Sequence, residues 1–168
     1  MGFLTENLHA SHVRSDFQCG NSLLDQYLKL QASQDVKKRL AACFVCTDAV
    51  TSNKVIGFYT LSNSSISREF VPIEWQNKYP KSYHTIPTTL LGRLAVDASF
   101  HGKGFGGKLL IEGLYRSYLA SIKIGSIAVV VDPIDVNAEA FYSSYGFQKL
   151  PDSGKLFLAM KTIAKLFT

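Results

Sequence analysis

Apolar and polar positions recur along this chain with two different periods. Between residues 19 and 40, Leu24, Tyr27, Leu28 and Ala32 fall at helical spacing, with Asn21 or Ser22 placed to cap the first turn. Residues 41–48 ("AACFVCTD") and 54–63 ("KVIGFYTLSN") read as two strands, with "AVTSN" (49–53) as the turn between them. The pattern is lost over residues 63–87, which hold Pro72, Pro80 and Pro87; an irregular segment with one short helix near 74–78 is expected, and a loop of that length is often functional. "TTLLGRLAVD" (88–97) predicts a strand. Residues 106–122 predict an amphipathic helix whose apolar stripe is Leu109, Leu110, Leu114, Tyr118 and Leu119. "SIAVVVD" (126–132) is almost purely apolar, so it predicts a strand buried on both faces. A short helix over 135–147 and a closing strand over 155–163 complete the order α, ββ, loop, β, α, β, α, β. That order gives an α/β (α+β) fold, a mixed sheet with helices.

A chain of 168 residues implies one domain, residues 1–168, with room for a core. Its 46% hydrophobic and 18% charged content excludes disordered and coiled-coil classes. No apolar run reaches the roughly 18 residues of a membrane span. The first residues lack the basic and apolar regions of a signal peptide, so a cytoplasmic protein is expected, with no membrane partner. Cys43 and Cys46, in "CFVC", resemble a redox or zinc pair. In a strand, however, residues three apart point to opposite faces, and no second pair has matching spacing. Buried reduced cysteines are expected there, and no metal site. The net charge of +5 favours an anionic partner, either a phosphorylated cofactor or a nucleic acid.

The stretch "SFHGKGFGGKLL" (99–110) concentrates Gly102, Gly104, Gly106 and Gly107 ahead of the predicted helix. Glycine lets main-chain N–H groups face a ligand, and the helix aims its positive end at the same point. An anion, above all a phosphate, is the natural occupant. Three motifs compete for the stretch. Gly102, Gly107 and Lys108 match a nucleotide triphosphate loop, but Leu109 stands where Ser or Thr would ligate magnesium. Gly102, Gly104 and Gly107 match the dinucleotide fingerprint, with Asp132 at the end of the next strand. Against it, "ASFH" separates the strand from the glycines, and Arg93 and Asp97 sit in what would be a buried central strand.

The third reading explains the surroundings as well. "GRLAVDASFHGKGFGGKLL" resembles the cofactor motif of the GNAT N-acetyltransferases, [RQ]-x-x-G-x-[GA] after a strand ending in two apolar residues and Val. His101-Gly102-Lys103-Gly104-Phe105-Gly106 fills it, with His101 where the family has Gln or Arg. The family's closing pattern, N-x-x-A-x-x-F-Y-x-x-x-G-F, is met by Asp135, Ala138, Phe141, Tyr142, Gly146 and Phe147, with only Asp for Asn changed. The resemblance spans about residues 42–160. It implies the GNAT fold, with a splayed central strand, and acetyl-CoA (coenzyme A) as cofactor. The cofactor residues it implies are Leu94, Ala95, Val96, His101, Gly102, Lys103, Gly104, Phe105, Gly106, Gly107, Asn137 and Phe141.

Acetyl transfer to an amine needs a neutral amine, a stabilised oxyanion and a proton for the departing thiolate. On the predicted helix, Phe141 and Tyr145 share one face and Ala138 and Tyr142 another. Phe141 and Tyr145 are therefore expected to pack inward, with Tyr142 turned to the cofactor beside small Ala138. Spacing alone leaves a packed aromatic equally open; the resemblance implies that Tyr142 is the acid. It also implies that a backbone N–H of Leu94–Val96 meets the acetyl carbonyl. No base stands out, which suits an α-amine, whose pKa of about 7.7–8.0 leaves a neutral fraction at cellular pH. His9, His12 and His84 carry no assigned role.

"FQCGNSLLDQYL" (17–28) resembles the start of the acetyltransferase toxins of bacterial toxin–antitoxin modules, F-x-C-G-x-x-x-L-D-x-[YF]-L, through Phe17, Cys19, Gly20, Leu24, Asp25, Tyr27 and Leu28. That subgroup implies acetylation of the α-amine of aminoacyl-tRNA, a homodimer, and neutralisation by a ribbon-helix-helix antitoxin. Arg93 interrupts an apolar strand beside the expected site and is the candidate to face the acceptor stem or the cofactor. Two alternatives stay open: the same fold acting on a small amine or a protein N-terminus, and a module that binds coenzyme A or an antitoxin without turnover.

Overall fold

The computed structural model describes residues 2–48, 50 and 53–168. They form two compact units, the chain up to Ser62 with Leu91–Gly113, and Asn63–Leu90 with Leu114–Thr168.

The first unit is built on an antiparallel meander of β1 (Glu6–Asn7), β2 (Ala42–Thr47) and β3 (Val55–Ser67). Glu6 pairs with Val45, and Ala42 through Cys46 pair with Leu61 through Gly57, with a bulge before Thr47. Asp48 N–H donates to the Lys54 carbonyl (2.9 Å), and Asn53 adopts a φ of 64°. Ala49, Thr51 and Ser52 of the expected turn lie outside the described residues.

The N-terminal helical pattern folds as α1 (Ser22–Gln26), a π-helical turn (Tyr27–Gln31) and α2 (Ala32–Lys37). Asn21 is the cap, its side chain accepting from Leu23 and Leu24 N–H. The two faces of the meander bury different clusters: Phe17, Tyr27, Cys43, Phe58 and Ala95 on one, Phe44, Cys46, Tyr59, Val96 and Leu109 on the other. Cys43 and Cys46 thus face opposite ways, as their spacing predicts. Burial pushes their thiols up to about 12 and about 11, so both stay protonated near neutral pH.

α4 (Phe105–Ser121) differs from its expected stripe. Leu109, Leu110 and Leu114 are buried, but Leu119 is 38% exposed, while Glu112 and Ser117 are buried. The reason is polar. The Glu112 carboxylate accepts the N–H groups of Leu4 (2.6 Å) and Thr5 (3.2 Å), the Thr5 hydroxyl and the Tyr59 hydroxyl (3.0 Å), and so ties down the N-terminal segment.

In the second unit β4 (Thr85–Val96) pairs in parallel with β5 (Ala128–Val131) at Thr89↔Val129 and Leu90↔Val130. That ladder is short, and β4 runs on to Val96. β5 pairs antiparallel with β7 (Leu156–Ala159), which carries β6 (Gln148–Lys149). All four residues of β5 are buried, as an apolar run requires. The strand order is β1-β2-β3-β4-β5-β7-β6, a mixed sheet.

Residues 63–87 are more regular than expected. β3 continues to Ser67, and β4 already begins at Thr85, with Pro87 inside it; Pro87 needs only its carbonyl there, which accepts Ile127 N–H (3.0 Å). Between them, α3 (Ile73–Gln76) and its flanks are gathered by one guanidinium: Arg68 donates to the carbonyls of Pro80 (2.9 Å), Tyr83 (3.1 Å), Tyr79 (2.8 Å) and Gln76. The expected closing strand stops at Ala159, and α6 (Met160–Ala164) follows, burying Met160 and Ile163. Among the described residues no helix is long and apolar enough to cross a membrane.

Candidate functional site

In the first unit, β4 delivers the chain to the glycine stretch through Asp97, which is buried. Its carboxylate accepts Gln18 N–H (3.0 Å), Ser99 N–H (3.0 Å) and the Ser99 hydroxyl (2.6 Å). Burial alone would raise that carboxyl, but the Ser99 and Gln18 donors and the Lys54 charge hold it below its ordinary 3.8. The next N–H, of Ala98, donates to the Gln18 carbonyl (2.7 Å), so both sides of the corner are pinned.

The loop then turns through Gly102 (φ +75°) and Gly104 (φ +80°) into α4. A Cβ on either glycine would meet no atom within 4 Å. These glycines therefore serve a left-handed backbone, not tight packing, and leave open space beside the loop. The first N–H groups of α4, from Phe105, Gly106 and Gly107, have no partner inside the helix. A left-handed turn, an open flank and a long helix's N-terminus together fit a diphosphate.

His101, which departs from the family motif, has its own local work. Its Nε2 lies 2.6 Å from the Val96 carbonyl, so the ring donates back to the end of β4 and braces the loop. Phe100 and Phe105 meet edge to face (5.7 Å), and the Lys103 and Lys108 ammoniums lie over their rings at 4.9 and 5.5 Å. Leu94 and Val96 belong to the cluster of Leu109, and Ala95 to that of Tyr27. Arg93 sits over Tyr27, its guanidinium carbon 3.6 Å from the ring centre. The first unit thus brings together Arg93, Leu94, Ala95, Val96 and the loop from His101 to Gly107. It also brings in Tyr27, which the sequence reading left without a role there; the π turn that carries it gives no signal in the residue pattern.

In the second unit α5 (Val136–Ser144) holds Asn137, Phe141 and Tyr142. Asp135 caps it, its carboxylate accepting Ala138 N–H (2.8 Å), so Asp replaces the family's Asn without loss of the cap. Asn137 is exposed in the first turn. The expected facing of the aromatics is reversed: Tyr142 is buried at 7% exposure, while Tyr145 is 38% exposed and Phe141 is half-buried. Phe141 and Tyr145 do pair (5.3 Å), but on the outer face, while Tyr142 packs on Phe147 (5.4 Å). Burial is the sole cause that pushes the Tyr142 phenol up to about 12, so it is protonated at any physiological pH.

Glu6, His9 and His12 also converge near β1. His12 Nδ1 accepts His9 N–H (3.0 Å), so Nε2 carries the ring proton and donates to Glu6 (2.7 Å). That bond is the main cause holding the Glu6 carboxyl below its usual range. These contacts make the three side chains a hydrogen-bonded staple of the turn.

Comparison with known proteins matches residues 39–149 to the acetyltransferase (GNAT) domain family. A "tRNA-acetylating toxin" of Mycobacterium tuberculosis is 34% identical over 149 residues, 88% of this chain and 86% of that protein. The solved structure of AtaT complexed with acetyl-methionyl-tRNAfMet superposes with a TM-score of 0.89 at 30% identity, covering 98% of each chain. A tyrosine-to-phenylalanine variant of AtaT, bound to the C-terminus of the antitoxin AtaR and acetyl-CoA, superposes with a TM-score of 0.81 at 26% identity, covering 98% of this chain and 97% of that one.

Proposed function

The chain belongs to the GNAT acetyltransferase family, and from that premise we propose that it acetylates the α-amine of the amino acid on charged tRNA and so blocks translation. It is an N-acetyltransferase with acetyl-CoA as donor. The observation that carries the tRNA reading is the likeness, over 98% of both chains, to AtaT complexed with acetyl-methionyl-tRNAfMet.

Bound acetyl-CoA supplies a thioester activated for attack by an amine. The main-chain N–H groups from Gly102 to Gly107, with the positive end of α4, hold its diphosphate. His101, Lys103 and Phe105 shape that loop, and Asn137 and Phe141 line the cofactor from α5. A main-chain N–H of Leu94, Ala95 or Val96 stabilises the oxyanion. Tyr142 would hold on its hydroxyl the proton that the thiolate takes when the acetyl group passes to the amine, and the proton that the amine nitrogen then sheds would restore the phenol. Arg93 contacts the acceptor. An α-amine needs no dedicated base, since a fraction is neutral at cellular pH.

Residues 1–168 work as one catalytic domain. The enzyme acts in the cytoplasm as a homodimer and is neutralised by a ribbon-helix-helix antitoxin; AtaT bound to the C-terminus of AtaR supports such a partner.

Incubation with labelled acetyl-CoA and bulk charged tRNA is the test. Label is expected in alkali-labile aminoacyl-tRNA. Label confined to small amines or protein N-termini would move the activity to another acceptor, and none anywhere would leave a binding module.

A further inference from the structure

Arg93 is the one charged side chain in the run from Leu90 to Val96, and it is half-buried. Its guanidinium carbon sits over the ring of Tyr27, the first residue of the π turn, 3.6 Å from the ring centre. Such turns insert a residue into the helical register and re-aim side chains, often at functional sites. Tyr27 is fixed in its turn. Its ring is buried and stacks on Phe58 (6.2 Å, 17° between planes), and its hydroxyl donates to buried Asp35 (2.9 Å). Asp35, the nearby acid, is thus committed to Tyr27 and, at 3.5 Å, to the Gln31 amide. Among the described residues Arg93 has no hydrogen-bond or ion-pair partner beyond this stack.

A guanidinium carries five donors in a planar fork. Here the guanidinium sits over an aromatic ring, and its N–H donors have no partner among the described residues. A fork held in that way matches two oxygens of a phosphate and loses little freedom on binding. The diphosphate of the cofactor is already served by the glycine loop, whose helix packs with Leu94 and Val96 in the cluster of Leu109. Arg93 lies instead over Tyr27, in the cluster of Phe58 and Ala95 on the other face.

We propose that the open edge of Arg93 seats a phosphodiester of the acceptor strand, and that Tyr27 and Asp35 are positioning residues that set its pose. The inference rests on the tRNA reading above. Its test compares charged tRNA with the methyl ester of the amino acid found to be acetylated, which offers the same amine and no phosphate. Arg93→Gln is expected to raise KM for charged tRNA about tenfold and to lower the slope of log KM against log salt by about one. The loss on the ester should be at least fivefold smaller. Arg93→Lys, which keeps the charge without the fork, should not restore the tRNA KM. Tyr27→Phe keeps the ring and loses the Asp35 anchor, so KM for tRNA should rise about two- to fivefold with kcat little changed; thermal melts check that each variant folds.

An unchanged salt slope in Arg93→Gln, or equal loss on both acceptors, overturns the proposal. A rise in KM for acetyl-CoA in place of tRNA gives Arg93 to the cofactor and overturns it too. If the wild type acetylates the ester and no tRNA, the functional reading falls first and this inference with it.

Discussion

At the scale of single residues, Tyr142 and Asp97 show how environment sets a side chain's use. Tyr142 was legible as a position, because the F-Y-x-x-x-G-F spacing marks it. Its facing was not, because the helix spacing that pairs Phe141 with Tyr145 is the same whichever side meets the core. Burial holds the phenol at about 12, so it keeps its proton throughout the range in which the amine titrates. Rate should therefore climb through pH of about 7.7–8.0, as the α-amine loses its proton, and then stay level to about pH 10. Tyr142→Phe should lower kcat about 10²–10⁴-fold with KM for acetyl-CoA nearly unchanged. Full turnover in that variant, or a wild-type descending limb below pH 10 that the variant abolishes, would remove Tyr142 from the role of acid at this pKa. Asp97 is the opposite case. Its folded pKa lies below 3.8, so its contribution to stability is complete above that value and is lost as pH falls through the folded pKa. Asp97→Asn should cost about 1–3 kcal/mol near neutral pH, through the donors of Gln18 and Ser99 left short of an acceptor. In urea melts, the gap between wild type and variant should narrow progressively below pH 3.8; a gap that widens there would show that the carboxylate is not the stabilising form.

At the scale of elements, most strands and helices follow from apolar periodicity or from short apolar runs, such as β5, that are buried on both faces. The misreadings have specific causes. Glu112 looks like a polar interruption in a helix stripe, and it takes donors far away in sequence, the N–H groups of Leu4 and Thr5 and the hydroxyls of Thr5 and Tyr59, to make it a core residue. Residues 63–87 look irregular because prolines interrupt them, yet carbonyls eight to fifteen positions on are collected by Arg68, a bond pattern that no local spacing encodes. Gly57 is a further case. An alanine Cβ there would come within 2.9 Å of Leu109 and 3.3 Å of the Ala95 carbonyl, so β3 needs a glycine to let α4 and the end of β4 approach. Gly57→Ala should cost about 1–3 kcal/mol through overpacking. Because the displaced atoms include the main chain at Ala95, KM for acetyl-CoA should rise as well. A variant that melts lower but binds acetyl-CoA as tightly as wild type would separate this contact from the cofactor strand.

At the scale of the whole molecule, the glycine loop was the most legible part of the candidate site and the surroundings of Arg93 the least. Gly102 and Gly104 advertise a left-handed turn before a helix in the residue order itself, whereas the meeting of Arg93 with Tyr27 depends on a π turn and a strand that approach only in the folded chain. The glycine stretch alone still matched a nucleotide loop and a dinucleotide fingerprint, and these make different demands on the folded state. A ligand that binds only the native protein raises its stability by RT ln(1 + [L]/Kd), about 2.7 kcal/mol at a hundredfold excess over Kd. For a chain of this size each kcal/mol moves the melting temperature by about 2–4 °C, so saturating coenzyme A should raise it by roughly 5–11 °C. NAD and ATP at the same concentration should leave it nearly unmoved. Gly104→Ala, with a Cβ strained at φ +80° and projecting into the open flank of the loop, should lower the starting melting temperature slightly and abolish most of the coenzyme A shift. A shift with NAD and none with coenzyme A would return the loop to the dinucleotide reading and overturn the claim that its amides hold an acyl carrier.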